Sequence, residues 1–340
     1  MPSPQPSQPP HAVFAMDPVH LPELFPPWLM ARLTSLTRLE PALVVRDFAD
    51  PAVAGALAEA EVLITGWGCP RVDEHVLSAA PRLRAVLHAA GSVRSLVAPA
   101  VWDRGIAVSS AVHANALPVA EYTLAAILLA GKDVFGLRER FRTEHVFPPP
   151  GDYAKVGNLG KRVGIIGASR VGRRLLELLR PFDFSVSLYD PYVDAAEATA
   201  LGAALVPLDE LLSTSDIVTL HAPDTPQTYR MLDRRRLSLM PDGSVFVNTS
   251  RGALVDPHAL TDELVAGRIT AVLDVTEPEP LPADSPLYKL PNVFLTPHIA
   301  GSLGNELERL GRTVVDELAL LTAGAPLAHR VRQADLANSA

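Results

Sequence analysis

The feature that most limits what this chain can fold into is an alternation, run through twice, of short apolar stretches with longer helical ones. Before residue 110 the short runs are residues 12–15, 43–45, 62–65, 85–88 and 106–108, with helix candidates at 21–39 and 51–60 between them. After residue 162 the pattern resumes with runs at 163–166, 185–189, 217–220, 244–247, 271–273 and 293–296. Strand-helix alternation implies parallel sheets covered by helices on both faces. Two rounds of it in 340 residues suit two domains of ordinary size. A long helix is expected at 118–142, with Pro118 in its first turn, where a missing N–H costs nothing. A Pro-Pro-Pro-Gly cluster at 148–151 follows as a loop. In a last helix Leu307, Leu310, Val314, Leu318 and Leu321 share one face. Spacing alone leaves open which domain that face covers.

Composition narrows the functional classes. A formal charge of −8 without basic blocks argues against electrostatic capture of nucleic acid or an anionic membrane. One cysteine, Cys69, excludes an intrachain disulfide and a multi-cysteine zinc site, and fits a reducing, cytoplasmic setting. The other histidines show no ligand spacing, so no metal is expected. The most apolar stretch, 122–131, is shorter than the ~20 residues a membrane-spanning helix needs, so a soluble protein is expected. Proline is frequent at 32 residues, and five fall in the first ten. That start lacks the apolar core of a signal peptide. Residues 1–10 are therefore read as a disordered extension, with Met16 as an alternative start.

Chemistry concentrates at the ends of the second set of runs. Gly167, Ala168, Ser169, Arg170, Val171 and Gly172 form a tight turn between a strand and a helix. Gly167 allows the turn, Gly172 close packing of helix on sheet, and the helix N-terminus can receive a pyrophosphate. Asp190 ends the next strand about 20 residues on, the place of a ribose-binding acid that favours NAD over NADP. Asn248, Thr249, Ser250, Arg251 and Gly252 put an arginine past a third strand, where its guanidinium can fork onto a carboxylate and a neighbouring carbonyl. Acids follow the strand ending at 273 (Asp274, Glu277, Glu279), and a histidine, His298, follows the one after. A carboxylate clamp, an acid-oriented imidazole and a dinucleotide together suit hydride and proton transfer to a 2-keto acid.

These segments (167–172, 215–223, 248–252, 274–280 and 296–301), in this order, resemble the D-isomer-specific 2-hydroxyacid dehydrogenase family over about residues 61–311. The resemblance implies two doubly wound parallel-sheet domains, Rossmann-like and flavodoxin-like, with the active site in the cleft between them. Residues 11–113 plus 304–340 would form the substrate domain and 114–303 an inserted NAD-binding domain. It implies that Arg251 binds the substrate's carboxylate and carbonyl, that His298 is the acid/base, and that Glu279, not Glu277, is its partner. A carboxylate in that place fixes the imidazole tautomer and favours its protonated form.

NAD would be lined by Gly167, Ser169, Arg170, Val171, Gly172, Asp190, His221, Ala222, Pro223, Thr228, Thr249, Ser250, Arg251, Asp274, His298 and Gly301, with Asp274 near the nicotinamide carboxamide. His221 has a plainer alternative as a strand-end hydrogen-bonder. The family's substrate loop corresponds to Ala90, Gly91 and Ser92, followed by Val93 and Arg94. Homodimers through the cofactor domain are usual in the family, which makes 118–142 and the following loop candidate contacts. A rival reading is a dinucleotide-sensing, corepressor-like interaction protein on the same scaffold; a formate-dehydrogenase-like reading is weaker.

Two departures from the family pattern stand out. Ser169 replaces the second glycine of the phosphate turn and puts a Cβ and hydroxyl where backbone would approach the pyrophosphate. Its accommodation, with weaker NAD affinity, is expected. In the substrate loop Ala90 and Ser92 replace glycines and Arg94 replaces an acid. Arg94 is either a second anion contact for a larger substrate or an outward surface residue.

Overall fold

The computed structural model describes residues 8–338 other than 155. The chain divides into one unit built from residues 1–115 and 302–340 and a second built from 116–301.

The first unit holds strands β1 (His11–Ala15), β2 (Arg38–Val45), β3 (Val62–Thr65), β4 (Ala85–His88) and β5 (Ala107–Ser110). They form one parallel sheet in the order β2-β1-β3-β4-β5, a doubly wound order of the flavodoxin kind. The period-two pattern of its strands explains the two-faced core. Val13, Ala15, Leu63, Val86 and Val108 join one cluster, and Ala12, Phe14, Val62, Ile64, Ala85 and Leu87 the other.

The helix Leu307–Thr322 belongs to this unit. Its Leu307, Leu310, Val314 and Leu318 are buried with Leu24, Leu29 and Leu33, which settles where the apolar face goes, while Leu321 packs at the cluster's margin. A Cβ on Gly311 would lie 1.8 Å from the Leu24 carbonyl oxygen, so only glycine permits this approach.

The second unit holds β6 (Arg162–Ile166), β7 (Ser185–Tyr189), β8 (Ala204–Leu205), β9 (Ile217–Leu220), β10 (Val245–Asn248), β11 (Thr270–Leu273) and β12 (Val293–Leu295). All are parallel, in the order β12-β11-β10-β9-β6-β7-β8. The chain reverses direction across the sheet between β6 and β9. In open α/β sheets that switch point is where ligands bind, outside the carboxyl ends of the strands.

Several local expectations need correction. The 21–39 stretch is two helices, Leu21–Leu24 and Pro27–Leu36, because Pro26 and Pro27 interrupt it, and Leu39 already lies in β2. Pro118 is not in a first turn. The helix runs Val112–Gly131, its Val112 N–H donating to the Ser110 hydroxyl at 3.0 Å, so Pro118 sits inside it. The loss is confined to one ladder bond, to the Ala114 carbonyl. The expected 118–142 helix also ends at Gly131, and a second, Val134–Glu144, starts after Asp133 in the left-handed region at φ 49°. By length and composition Val112–Gly131 could cross a membrane, but just over half of it is buried within the fold.

Of the expected N-terminal extension, residues 1–7 lie outside the described residues. Pro9 and Pro10 are tied in, since their carbonyls accept from the Arg38 side chain and backbone N–H. A start at Met16 would remove β1, an interior strand, and Met16 itself is fully buried.

Gly311→Ala should lower the urea midpoint and cost about 3 kcal/mol. An unchanged midpoint would show that the last helix can shift without penalty.

Candidate active site

The glycine turn between β6 and the helix Arg170–Leu179 has the geometry of an anion cradle. Gly167 has φ 97°, and a Cβ there would come within 2.7 Å of the Ala222 backbone nitrogen. A Cβ on Gly172 would sit 2.1 Å from the Gly167 carbonyl oxygen. The two glycines thus let the turn close against the end of β9. Ser169 is the helix N-cap, its hydroxyl accepting from the Gly172 N–H at 3.3 Å. The hydroxyl is therefore turned onto the helix end it caps. Arg170 and Val171 occupy the first turn, ahead of the helix's own hydrogen-bond ladder, and Arg170 is exposed. Asp190, at the end of β7, accepts from the Ala168 N–H at 2.7 Å and the Tyr192 N–H at 2.8 Å. First-turn amides, an exposed cation and an acid moored to the turn fit a dinucleotide's pyrophosphate and ribose hydroxyls.

At the next strand end, His221 is a buried residue rather than a side chain open to a ligand. Its Nε2 lies 2.9 Å from the Thr219 hydroxyl, and its Nδ1 has no hydrogen-bond partner among the described residues. Burial pushes its pKa down to about 3. The Ala222 backbone meets Gly167, and Thr228 organises the following loop by donating to the Pro223 carbonyl at 2.6 Å.

Arg251, Asp274 and His298 follow β10, β11 and β12, which are adjacent in the sheet. The Asn248 amide oxygen accepts from the Ser250 N–H and hydroxyl, and its nitrogen donates to the Arg251 carbonyl. The Thr249 hydroxyl meets that of Thr123 at 2.9 Å. Arg251 is exposed, with one side-chain bond to the Ser250 carbonyl. A Cβ on Gly252 would lie 2.1 Å from the Thr276 carbonyl carbon, so this glycine lets the arginine loop press on the loop after β11.

Asp274 is 2% exposed. Its carboxylate accepts from the Thr296 hydroxyl (2.6 Å), the Ile299 N–H (2.8 Å) and the Ala300 N–H (2.9 Å). Those bonds hold the turn in which His298 takes the left-handed φ of 55°, a conformation that must be imposed by its surroundings on any residue with a Cβ. The His298 Nδ1 meets the Glu279 Oε1 at 2.5 Å. The turn ends at Ala300 and Gly301, the last residues of this unit.

A cavity of about 650 Å³ opens beside the pair. Asp274, Glu279 and His298 line its polar side, and Leu281, Leu287 and Phe294 its apolar side. Sequence reasoning missed Tyr122, whose hydroxyl lies 2.7 Å from that of Thr296 and extends the chain of hydrogen bonds to Asp274. It comes from a helix remote in sequence, and no motif marks it.

The loop anticipated to bind substrate lies in the first unit. Ala90 and Val93 are buried, Gly91 and Ser92 half-buried, and the Gly91 carbonyl accepts from the Ser110 hydroxyl at 2.7 Å. The Arg94 guanidinium donates to the Leu336 carbonyl, so it is engaged by the C-terminal segment of its own unit. Cys69 is largely buried, and burial pushes its thiol up to about 12, which fits no nucleophilic role.

Residues 124–300 match the family model described as D-isomer specific 2-hydroxyacid dehydrogenase, NAD binding domain. A D-3-phosphoglycerate dehydrogenase of Mycobacterium tuberculosis is 35% identical over 270 residues, 79% of this chain and 50% of its own length. A glyoxylate reductase of Korarchaeum cryptofilum is 33% identical over 257 residues, 74% of this chain and 77% of its own. Among solved structures, a D-lactate dehydrogenase from Aquifex aeolicus complexed with NAD and lactic acid superimposes with a TM-score of 0.69 at 26% identity, covering 92% of this chain and 95% of that one. The chain belongs to the D-isomer-specific 2-hydroxyacid dehydrogenase family, and its second unit is the family's NAD-binding domain. It spans about half the length of the phosphoglycerate dehydrogenases it matches.

Two buried histidines, one in each unit, make acid stability a readout of the fold. His88, whose Nδ1 lies 2.9 Å from the Thr65 hydroxyl, is pushed down to about 4 by burial, as His221 is to about 3. The unfolded chain binds protons at pH 6.5, before either buried ring does. Their contribution is therefore full above that pH and falls as pH drops toward 4. Each should cost about 2 kcal/mol between pH 8 and pH 5. Urea titrations at the two pH values check it, and His88→Gln should shrink the difference by its share.

Proposed function

We propose that this protein interconverts a 2-keto acid and a D-2-hydroxy acid with NAD, and that Arg251, Glu279 and His298 carry the chemistry. The observation that carries this reading is the 2.5 Å contact between the His298 Nδ1 and the Glu279 Oε1 at the cavity beside the NAD-binding strands. Bound NADH would supply the hydride. Glu279 holds the Nδ1 edge of His298, which leaves Nε2 to deliver a proton to the developing alkoxide and to recover it in the oxidative direction. Arg251 neutralises the substrate carboxylate and stabilises charge on the reacting oxygen. Asp274 keeps the histidine turn in place.

The relatives are named for different substrates, phosphoglycerate and glyoxylate, so the substrate side chain is set by experiment. Loss of NADH absorbance with a panel of 2-keto acids tests the activity. NADH binding with no turnover on any of them would favour the dinucleotide-sensing reading instead. His298→Asn should lower kcat by about 10³-fold while NADH still binds by fluorescence titration. Arg251→Lys, which keeps the charge and loses the fork, should reduce kcat/KM by about 10²-fold, mainly through KM.

Self-association through the second unit is part of the same proposal. Phe147 is 82% and Leu159 85% exposed in the segment after the helix Val134–Glu144, an unusual display of apolar surface. A second copy of the chain is the proposed cover. Sedimentation should show a dimer that Phe147→Glu with Leu159→Glu converts to monomer; a wild-type monomer would overturn the assignment.

A further inference from the structure

Asp190 is not alone at the far end of the glycine turn. The Arg173 Nε donates to the Ala168 carbonyl at 2.9 Å, while Asp190 holds the N–H of the same residue at 2.7 Å. A cation and an acid therefore flank one turn residue. An arginine in this neighbourhood is the group that accommodates the 2′-phosphate of NADP. Here one of its two outer nitrogens is engaged, because the Arg173 Nη2 lies 2.7 Å from the Glu197 Oε1, with both side chains 41% exposed. Glu197 is itself placed by the turn after β7. It lies in the helix Ala195–Leu201, and its backbone N–H donates to the capping Asp194 carboxylate at 2.8 Å. Asp190, Asp194 and Glu197 outnumber the single arginine among these groups.

We propose that Glu197 is a specificity-determining residue of this protein: it occupies the Arg173 guanidinium and withholds from a 2′-phosphorylated dinucleotide the cation that would bind it. Discrimination then has two separable parts. Asp190 accepts from ribose hydroxyls and repels a phosphate, and Glu197 cancels the neighbouring attraction. The second part rests on the reading of Asp190 as the ribose acid, since only then is Arg173 beside the 2′ position.

The test is direct binding, by calorimetry or quenching of intrinsic fluorescence, with NADH and NADPH as the probes. Glu197→Gln keeps the shape of the side chain and removes its charge. NADPH Kd should fall about fivefold, in keeping with a half-exposed ion pair, with NADH Kd changed less than about twofold. Adding Arg173→Met to that variant should abolish the gain. Unaltered NADPH binding in Glu197→Gln overturns the proposal, and so does a gain that survives Arg173→Met, which would mark a general charge effect. Asp190→Ser is read separately. It should weaken NADH and narrow the gap between the cofactors, and if it does neither, the ribose assignment fails whatever Glu197 does. Thermal melts of each variant confirm folding, so weak binding is not mistaken for lost structure.

Discussion

Everything distinctive about the site depends on one buried carboxylate. Asp274 leaves β11 at the point where the sheet ends, and three donors from the loop after β12 converge on it. A carboxylate out of contact with water needs such donors, and two of them are the backbone amides of Ile299 and Ala300, the residues directly after His298. The turn is thereby forced into a shape that a histidine would not choose unaided. Its side chain is delivered to Glu279, which descends from the same β11 loop. The Glu279–His298 contact is thus supported by a buried carboxylate at the end of the neighbouring strand.

The same economy appears at the dinucleotide turn. Gly167 and Gly172 are needed because backbone must pass backbone at less than the width of a methyl group. Ser169, where the fingerprint has a glycine, directs its hydroxyl onto the helix end and caps it.

Much of this is legible in the sequence alone. Strands such as β3, β4, β9 and β10 are readable because each is a fully buried, largely apolar run, and the motif residues because they stand just past such runs, whereas the two-residue, partly exposed β8 carries no such signal. Helix limits are less readable: Pro118 looks like a start, yet Ser110 already provides one. The network behind the site is least legible. Tyr122 and Thr123 reach Thr296 and Thr249 from more than a hundred residues away, and such pairings follow from packing, not from spacing. His221 shows the opposite hazard. Its place in a motif suggests contact with a ligand, whereas its ring is enclosed and serves Thr219.

The division of the chain also bears on the order in which the protein is made. The second unit is continuous in sequence, but the first draws its last helix from beyond it. During synthesis the inner unit can close its core while the outer one still exposes Leu24, Leu29 and Leu33, which wait for Leu310 and Val314. The vulnerable interval for a nascent chain is therefore the time taken to translate the inserted unit, and it ends only when the helix that contains Gly311 has emerged.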